Sequence, residues 1–253
     1  MDIHRLSPGA DGLDDEALLA AYRPDASDGL LRVNFATSVD GAVSVHGRSA
    51  GLSGTADKRV FGLLRALCDG LLVGAGTVRR EGYRAVRLDE RRRAWREEQG
   101  MPTFPTPVVV SGRLDLDPDQ AIFADAPVRP IVLTRTDAPA ARRAAVAAVA
   151  DVVEAGTGRV DLTKGLALLR ERGLGHLLCE GGPHLFGTLT AADLVDEVCL
   201  TVSPLLAGGG AGRITAGPAS PVRRMRLADA LAADGSLLLR YRRAEPGTHD
   251  PRD

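Results

Sequence analysis

Four segments of this sequence run from apolar residues straight into glycine, a hydroxyl or a carboxylate. They are Asp40-Gly41 after LRVNFATSV, Gly74-Ala75-Gly76-Thr77 after GLLV, Ser111-Gly112-Arg113 after PVVV, and Glu180-Gly181-Gly182-Pro183 after HLLC. Glycine lets a backbone approach a phosphate closely, and a helix starting just beyond offers unpaired N–H groups and the positive end of its dipole. Two such turns, at 74–77 and 180–183, suit a cofactor with two phosphates. The first is not a full dinucleotide fingerprint, because Arg79 stands where the third glycine belongs. Arg79, Arg80 and Arg113 are candidates for a 2′-phosphate, which would select NADP over NAD. The plainer reading is solvated arginine in a chain whose lysines are Lys58 and Lys164 alone.

Two other motifs carry less. Gly47-Arg48-Ser49-Ala50-Gly51 matches the GxSxG nucleophile elbow, but that elbow needs a strand before it and a helix after it. Here it lies in the polar loop SVHGRSAGLSGT, so a hydrolase is not predicted. His176 opens an apolar run and reads as structural. His184 follows Pro183 and would matter by position rather than by its imidazole.

The elements that must hold these residues can be read from period and punctuation. Helices are predicted over 14–22, from a cap at Thr55 or Asp57 to Leu67, over 138–150, over 162–172 and after Pro183. Strands are predicted at 31–39, 70–75, 107–111, 130–134, 151–153, 177–179, 195–203 and 236–241. The run 88–100 (LDERRRAWREEQG) is dense in charge and reads as a solvated helix face. Short apolar strands alternating with helices predict a single α/β domain with a mostly parallel central sheet covered on both faces. The last two strands have no helical pattern between them, which predicts an antiparallel edge. The domain would span 29–243, after a loosely attached N-terminal arm with a short helix (1–28) and before a frayed tail (244–253).

Composition excludes several function classes. A net charge of −1 over 253 residues supplies no broad positive field for nucleic acid. Cys68, Cys179 and Cys199 are far apart and set in apolar runs, which predicts buried thiols rather than disulfides. No CxxC or HExxH spacing occurs, so no metal site is predicted. The acidic N-terminus lacks a signal-peptide core, and no segment has membrane-spanning length. A cytoplasmic protein without membrane partners is expected.

Three longer stretches carry a resemblance. NFATSVDGAVS, LLRALCDGLLVGAGTVRREGYRAVR and LLCEGGPHLFGTLTAADLVDEVCLTVSPLLAGGG together resemble the reductase domain of bacterial riboflavin-biosynthesis proteins, from about Val33 to Gly212. The resemblance implies a dihydrofolate-reductase-like fold, a homodimer, and NADPH-dependent reduction of the ribosyl group of 5-amino-6-(5-phosphoribosylamino)uracil or a close relative. It places the cofactor at Thr37, Gly51, Gly74, Gly76, Thr77, Glu81, Ser111 and the turn and helix Gly181, Gly182, Pro183, His184, Leu185 and Phe186. It places the phosphorylated substrate at Ser49, Arg65, Glu180 and Arg87, or Arg84 if the loop is shifted. Asp40 is the carboxylate expected to handle a proton or anchor substrate, although Asp-Gly is also a common turn.

The sequence departs from the family at Asn34, where lysine is usual, at Gly51, where an aromatic is usual, and at Glu81-Gly82-Tyr83-Arg84. A pterin or folate reductase on the same fold, and an NADPH sensor without turnover, therefore stay open.

Overall fold

A computed structural model describes residues 12–24 and 29–244. Its elements in chain order are α1 (Asp15–Tyr22), β1 (Leu30–Ser38), a 3-10 turn (Ser49–Leu52), α2 (Thr55–Leu67), β2 (Gly70–Gly74), α3 (Ala75–Glu81), α4 (Glu90–Glu98), β3 (Thr106–Val110), α5 (Ala121–Ala124), β4 (Ile131–Thr134), α6 (Ala140–Ala147), β5 (Asp151–Glu154), α7 (Leu162–Arg170), β6 (His176–Cys179), α8 (Pro183–Ala191), β7 (Glu197–Ser203), β8 (Met225–Ala233) and β9 (Ser236–Arg243). The strands form one nine-stranded sheet in the order β5-β4-β3-β2-β6-β1-β7-β9-β8. Every pairing from β5 to β7 is parallel, and β9 and β8 complete the sheet antiparallel.

Successive strand residues point to opposite faces, and both faces are covered. On β2, Leu72 packs with Leu166 and Leu189 of α7 and α8, whereas Leu71 packs with Leu63 and Leu64 of α2. Val73 returns to the α2 side of the sheet with Val109, Val132 and Ile122. This two-sided burial is why the strands are continuous apolar runs rather than alternating ones.

β8 was absent from the sequence expectation. Its MRLADALAA has the alanine content of a helix, yet it pairs with β9 through a two-residue turn, Asp234-Gly235, with Ala233 opposite Ser236. Both turn residues have positive φ (51° and 75°), the geometry that hairpin twist favours and that Asp-Gly supplies. α3 was likewise expected as a turn. The cap of α2 also differs: Gly54 is its N-cap, with no side-chain bond, and Asp57 is instead buried and accepts from the Thr201 hydroxyl at 2.6 Å.

The helix of the expected loose arm is docked. Leu18 and Tyr22 of α1 are buried against α2. Arg32 donates to the Tyr22 carbonyl at 2.7 Å while paired with the fully buried Glu197, which Arg242 also reaches at 3.1 Å. The rest of the arm and the tail beyond Ala244 lie outside the described residues.

The charge-dense run forms α4, capped by Asp89, but it is not merely a solvated face. Arg96 is fully buried and donates to the carbonyls of Pro102, Ala66 and Cys68 at 2.7, 2.8 and 2.7 Å. It closes the end of α2 onto α4. Arg96→Ala strands three carbonyls at once, so urea unfolding should show a loss of about 3 kcal/mol, and a loss under about 1 kcal/mol would contradict this role.

The three cysteines are free and buried, and burial pushes each thiol up to about 12. Among the described residues, no helix is long and apolar enough to cross a membrane.

Candidate active site

All four punctuated strand ends fall on one edge of the sheet, because β3, β2, β6 and β1 are adjacent and parallel. Ligands of open parallel sheets bind beyond such carboxyl ends. The two glycine turns meet there. Glu180 N–H donates to the Leu72 carbonyl at 3.0 Å, and Gly74 N–H donates to the Gly181 carbonyl at 2.8 Å. The Gly181-Gly182 peptide is cis.

Glycine is required at this seam for separate reasons. Gly181 has φ +88°, and a Cβ on it would lie 2.7 Å from the ring of Phe35, which stacks on Phe186 at 5.3 Å. A Cβ on Gly182 would lie 2.6 Å from Thr77 Oγ1, whereas one on Gly74 would make only ordinary contacts with Gly181, Gly182 and Leu185, at 3.6–3.7 Å. Gly182 is also the N-cap of α8 and Pro183 its first residue, with no side chain capping the first turn. The seam therefore presents open backbone at a helix N-terminus, where an anion is favoured.

Beside the seam opens a cleft of about 540 Å³. Gly74, Gly76, Ser111, Gly112, His184 and Leu185 line it, together with Arg79, Arg113 and Arg159. Thr77 joins the group through its contact with Gly182. Other expected cofactor residues lie apart from the cleft lining. Thr37 is buried at the end of β1, Gly51 is exposed in the 3-10 turn beside Val45, and Glu81 is exposed at the end of α3.

Glu180, one residue before the seam, belongs to a polar triad. The Arg65 guanidinium donates from Nε to Glu180 Oε1 at 2.6 Å and from Nη2 to Oε2 at 2.7 Å. Nη2 also reaches the Tyr83 hydroxyl at 3.1 Å, and that hydroxyl donates to Glu180 Oε2. Arg65 lies over the Phe61 ring at 4.1 Å. Burial alone would lower the Arg65 pKa, but the Glu180 charge outweighs it and the net shift is upward. Tyr83 is raised well above its ordinary value, first by burial and then by Glu180. Arg65 is thus already engaged by a carboxylate.

The remaining substrate candidates are dispersed. Ser49 is exposed at the start of the 3-10 turn, without the preceding strand that a nucleophile elbow needs. Arg87 is exposed and donates to the Asp125 carbonyl at 3.0 Å. Arg84 is exposed. Asp40 accepts from the Ser38 hydroxyl and from the backbone N–H groups of Ala207 and Gly208, at 3.2 and 2.8 Å. These bonds, the Ser38 one foremost, lower its pKa. In the sequence Tyr83 stands out only as a departure from the family, and Arg159 belongs to no motif. Neither has a local signal, since Tyr83 meets Glu180 across 97 positions.

Comparison with known proteins identifies the family. The pattern of the RibD C-terminal domain matches residues 30–239. The 2,5-diamino-6-ribosylamino-4(3H)-pyrimidinone 5′-phosphate reductase of Archaeoglobus fulgidus is 33% identical over 178 residues, covering 70% of this chain and 81% of that protein. The protein of the same name from Methanothermobacter thermautotrophicus is also 33% identical over 178 residues, with 70% and 78% covered. A pyrimidine reductase-like protein from Corynebacterium diphtheriae shares the fold, with a TM-score of 0.83 at 23% identity over 92% of this chain and 100% of that one. On the match to most of its length and on these relatives, the chain belongs to the RibD C-terminal domain family of riboflavin-pathway reductases.

Proposed function

We propose that the chain is an NADPH-dependent reductase that converts the ribosyl group of a 5-phosphoribosylaminopyrimidine to a ribityl chain. The observation that carries this reading is the seam in which Gly181 and Gly182 leave no room for side chains beside the uncapped start of α8, with the backbone of Gly74 against it. Such a cradle fits a pyrophosphate. Ser111 and the arginines of the cleft then fall where an adenosine portion would extend.

NADPH, when bound, supplies the hydride. The chain's own residues orient and exclude. Gly74, Gly76, Thr77 and the first turn of α8 hold the dinucleotide against the carboxyl edge of the sheet. The triad of Arg65, Glu180 and Tyr83 faces the aminopyrimidine through Arg65, its partly exposed member, which the buried Glu180 carboxylate holds in place. With Arg65 committed to Glu180, the substrate phosphate falls to Arg87 or Arg84. Asp40, held ionised by its hydroxyl and backbone donors, is better suited to anchoring the loop after β7 than to giving up a proton. Assembly as a homodimer in the cytoplasm belongs to the same proposal, and sedimentation at the single-chain mass would refute the dimer.

The relatives carry a name with a 2-amino base, whereas the uracil form has oxygen there. Both compounds should therefore be offered with NADPH, with dihydrofolate as a third. Oxidation of NADPH with either phosphoribosylaminopyrimidine, giving a product heavier by two hydrogens, is the expected result. Turnover of dihydrofolate alone, or of nothing despite NADPH binding, would overturn it.

A further inference from the structure

Two of the three arginines lining the cleft are uncommitted. Arg113 follows β3 and Arg159 follows β5, and neither guanidinium has an ion pair or hydrogen bond among the described residues. Arg79, by contrast, donates to the Asp115 carbonyl at 2.7 Å and pairs with the Asp115 carboxylate at 3.7 Å. Among the described residues, Asp115 is the sole carboxylate lining the cleft, so the positive charge of the three arginines there is not neutralised.

The loops bearing Arg113 and Arg159 are fixed to each other by the strand between them. β4 lies between β3 and β5, and Arg135 is the first residue beyond it. Its guanidinium donates from Nε to the Gly112 carbonyl at 2.9 Å and from Nη1 to the Gly158 carbonyl at 3.0 Å. Those carbonyls immediately precede Arg113 and Arg159. The second loop is further held by Thr136 N–H to the Gly156 carbonyl at 2.8 Å and by Gly158 N–H to Asp137 at 2.9 Å. Gly156 has φ +81°, and a Cβ there would lie 2.7 Å from the Arg159 carbonyl. Gly112 and Val160 lie side by side, so that a Cβ on the glycine would make an ordinary 3.7 Å contact with Val160 Cγ2. The arginines are thus carried on two loops braced against one another.

We infer that Arg113 and Arg159 together bind the 2′-phosphate of the cofactor's adenosine ribose, with Arg135 as the residue that positions them. Forked guanidinium donors match a phosphate dianion, and two unpaired ones outbid an arginine already paired to Asp115. Arg80 does not line the cleft. This assignment rests on the pyridine-nucleotide reading of the cleft, and it fixes which of the two nucleotides is chosen.

The test uses the full chain and needs no turnover: calorimetric binding of 2′,5′-ADP and 5′-AMP. The unaltered protein should bind 2′,5′-ADP at least about tenfold more tightly, as expected for charge-assisted bonds to one extra phosphate. Arg113→Ala and Arg159→Ala should each weaken 2′,5′-ADP roughly tenfold while AMP changes by less than about twofold. Arg79→Ala should keep the preference. Arg135→Ala should narrow it without weakening AMP, whereas a general collapse of the cleft would weaken both ligands. No preference in the unaltered protein, equal losses for both ligands, or loss of preference on replacing Arg79 instead would overturn the assignment. A protein that keeps the preference but reduces neither pyrimidine refutes the reductase reading alone. One that reduces a pyrimidine equally well with NADH and NADPH, and shows no preference, refutes this assignment alone.

Discussion

Gly182→Ala is expected to weaken NADPH binding roughly 100-fold, about 2.7 kcal/mol, with the fold retained. The added methyl would sit 2.6 Å from Thr77 Oγ1. Thr77 is β-branched and stands in the first turn of α3, whose Val78 is buried, so neither the side chain nor the helix yields easily. The seam must open instead, moving the first turn of α8 away from Gly74. Overpacking of this kind costs about 1–3 kcal/mol of stability, which should appear as a modest fall in Tm. Thr77→Ala in the same chain removes the obstructing oxygen, and the pair should regain most of the lost affinity. Fluorescence titration with NADPH measures both. Unchanged affinity in the single variant would mean that the seam does not hold the cofactor, and absence of rescue would mean that the clash with Thr77 is not the cause.

The second large effect concerns the triad. Arg65→Met leaves the Glu180 side chain, only 3% exposed, as a buried carboxylate without its counter-ion. Removing one partner of a buried pair costs about 3–5 kcal/mol. The lower end is expected here, because Arg65 is itself 24% exposed and water can enter where it stood. Replacing the whole triad by apolar side chains, as Arg65→Met, Glu180→Leu and Tyr83→Phe together, removes the stranded charge. Such exchanges are often neutral for stability. The triple variant should therefore unfold near the urea midpoint of the parent while showing no turnover. If it were as unstable as Arg65→Met, packing rather than charge would explain the single variant. If it turned over substrate, the triad would have no part in the site.

The features legible in the sequence were those encoded locally. Gly181-Gly182-Pro183 announces the end of β6 and the start of α8 because glycine and proline constrain the backbone where they stand. The two-sided burial of the sheet showed in unbroken runs such as LLV and PVVV. The meeting of the two glycine turns followed from placing both at strand ends of one parallel sheet. The misses were relations between distant residues or conflicts between pattern and context. β8 has a helix former's composition and becomes a strand only because Asp234-Gly235 folds it back on β9. That Asp-Gly pair was the available signal. Arg96 lies in a run that reads as solvated, and its burial depends on the carbonyls of Ala66 and Cys68 some thirty positions earlier. The commitment of Arg65 to Glu180 spans 115 positions, and nothing near either residue announces it.

The insertion of β6 between β1 and β2 has a consequence for biosynthesis. Both neighbours leave the ribosome early, yet the strand that joins them begins at His176. At roughly 5–20 residues per second, the nascent chain carries two apolar strands with unfilled edges for many seconds before their common partner exists. Open strand edges invite pairing with other chains. Chains arrested before residue 176 should therefore depend on chaperones for solubility, while those extended through β9 can complete the sheet unaided. Synthesis order makes the strand that ends in the candidate site the same strand that joins the two early halves of the sheet.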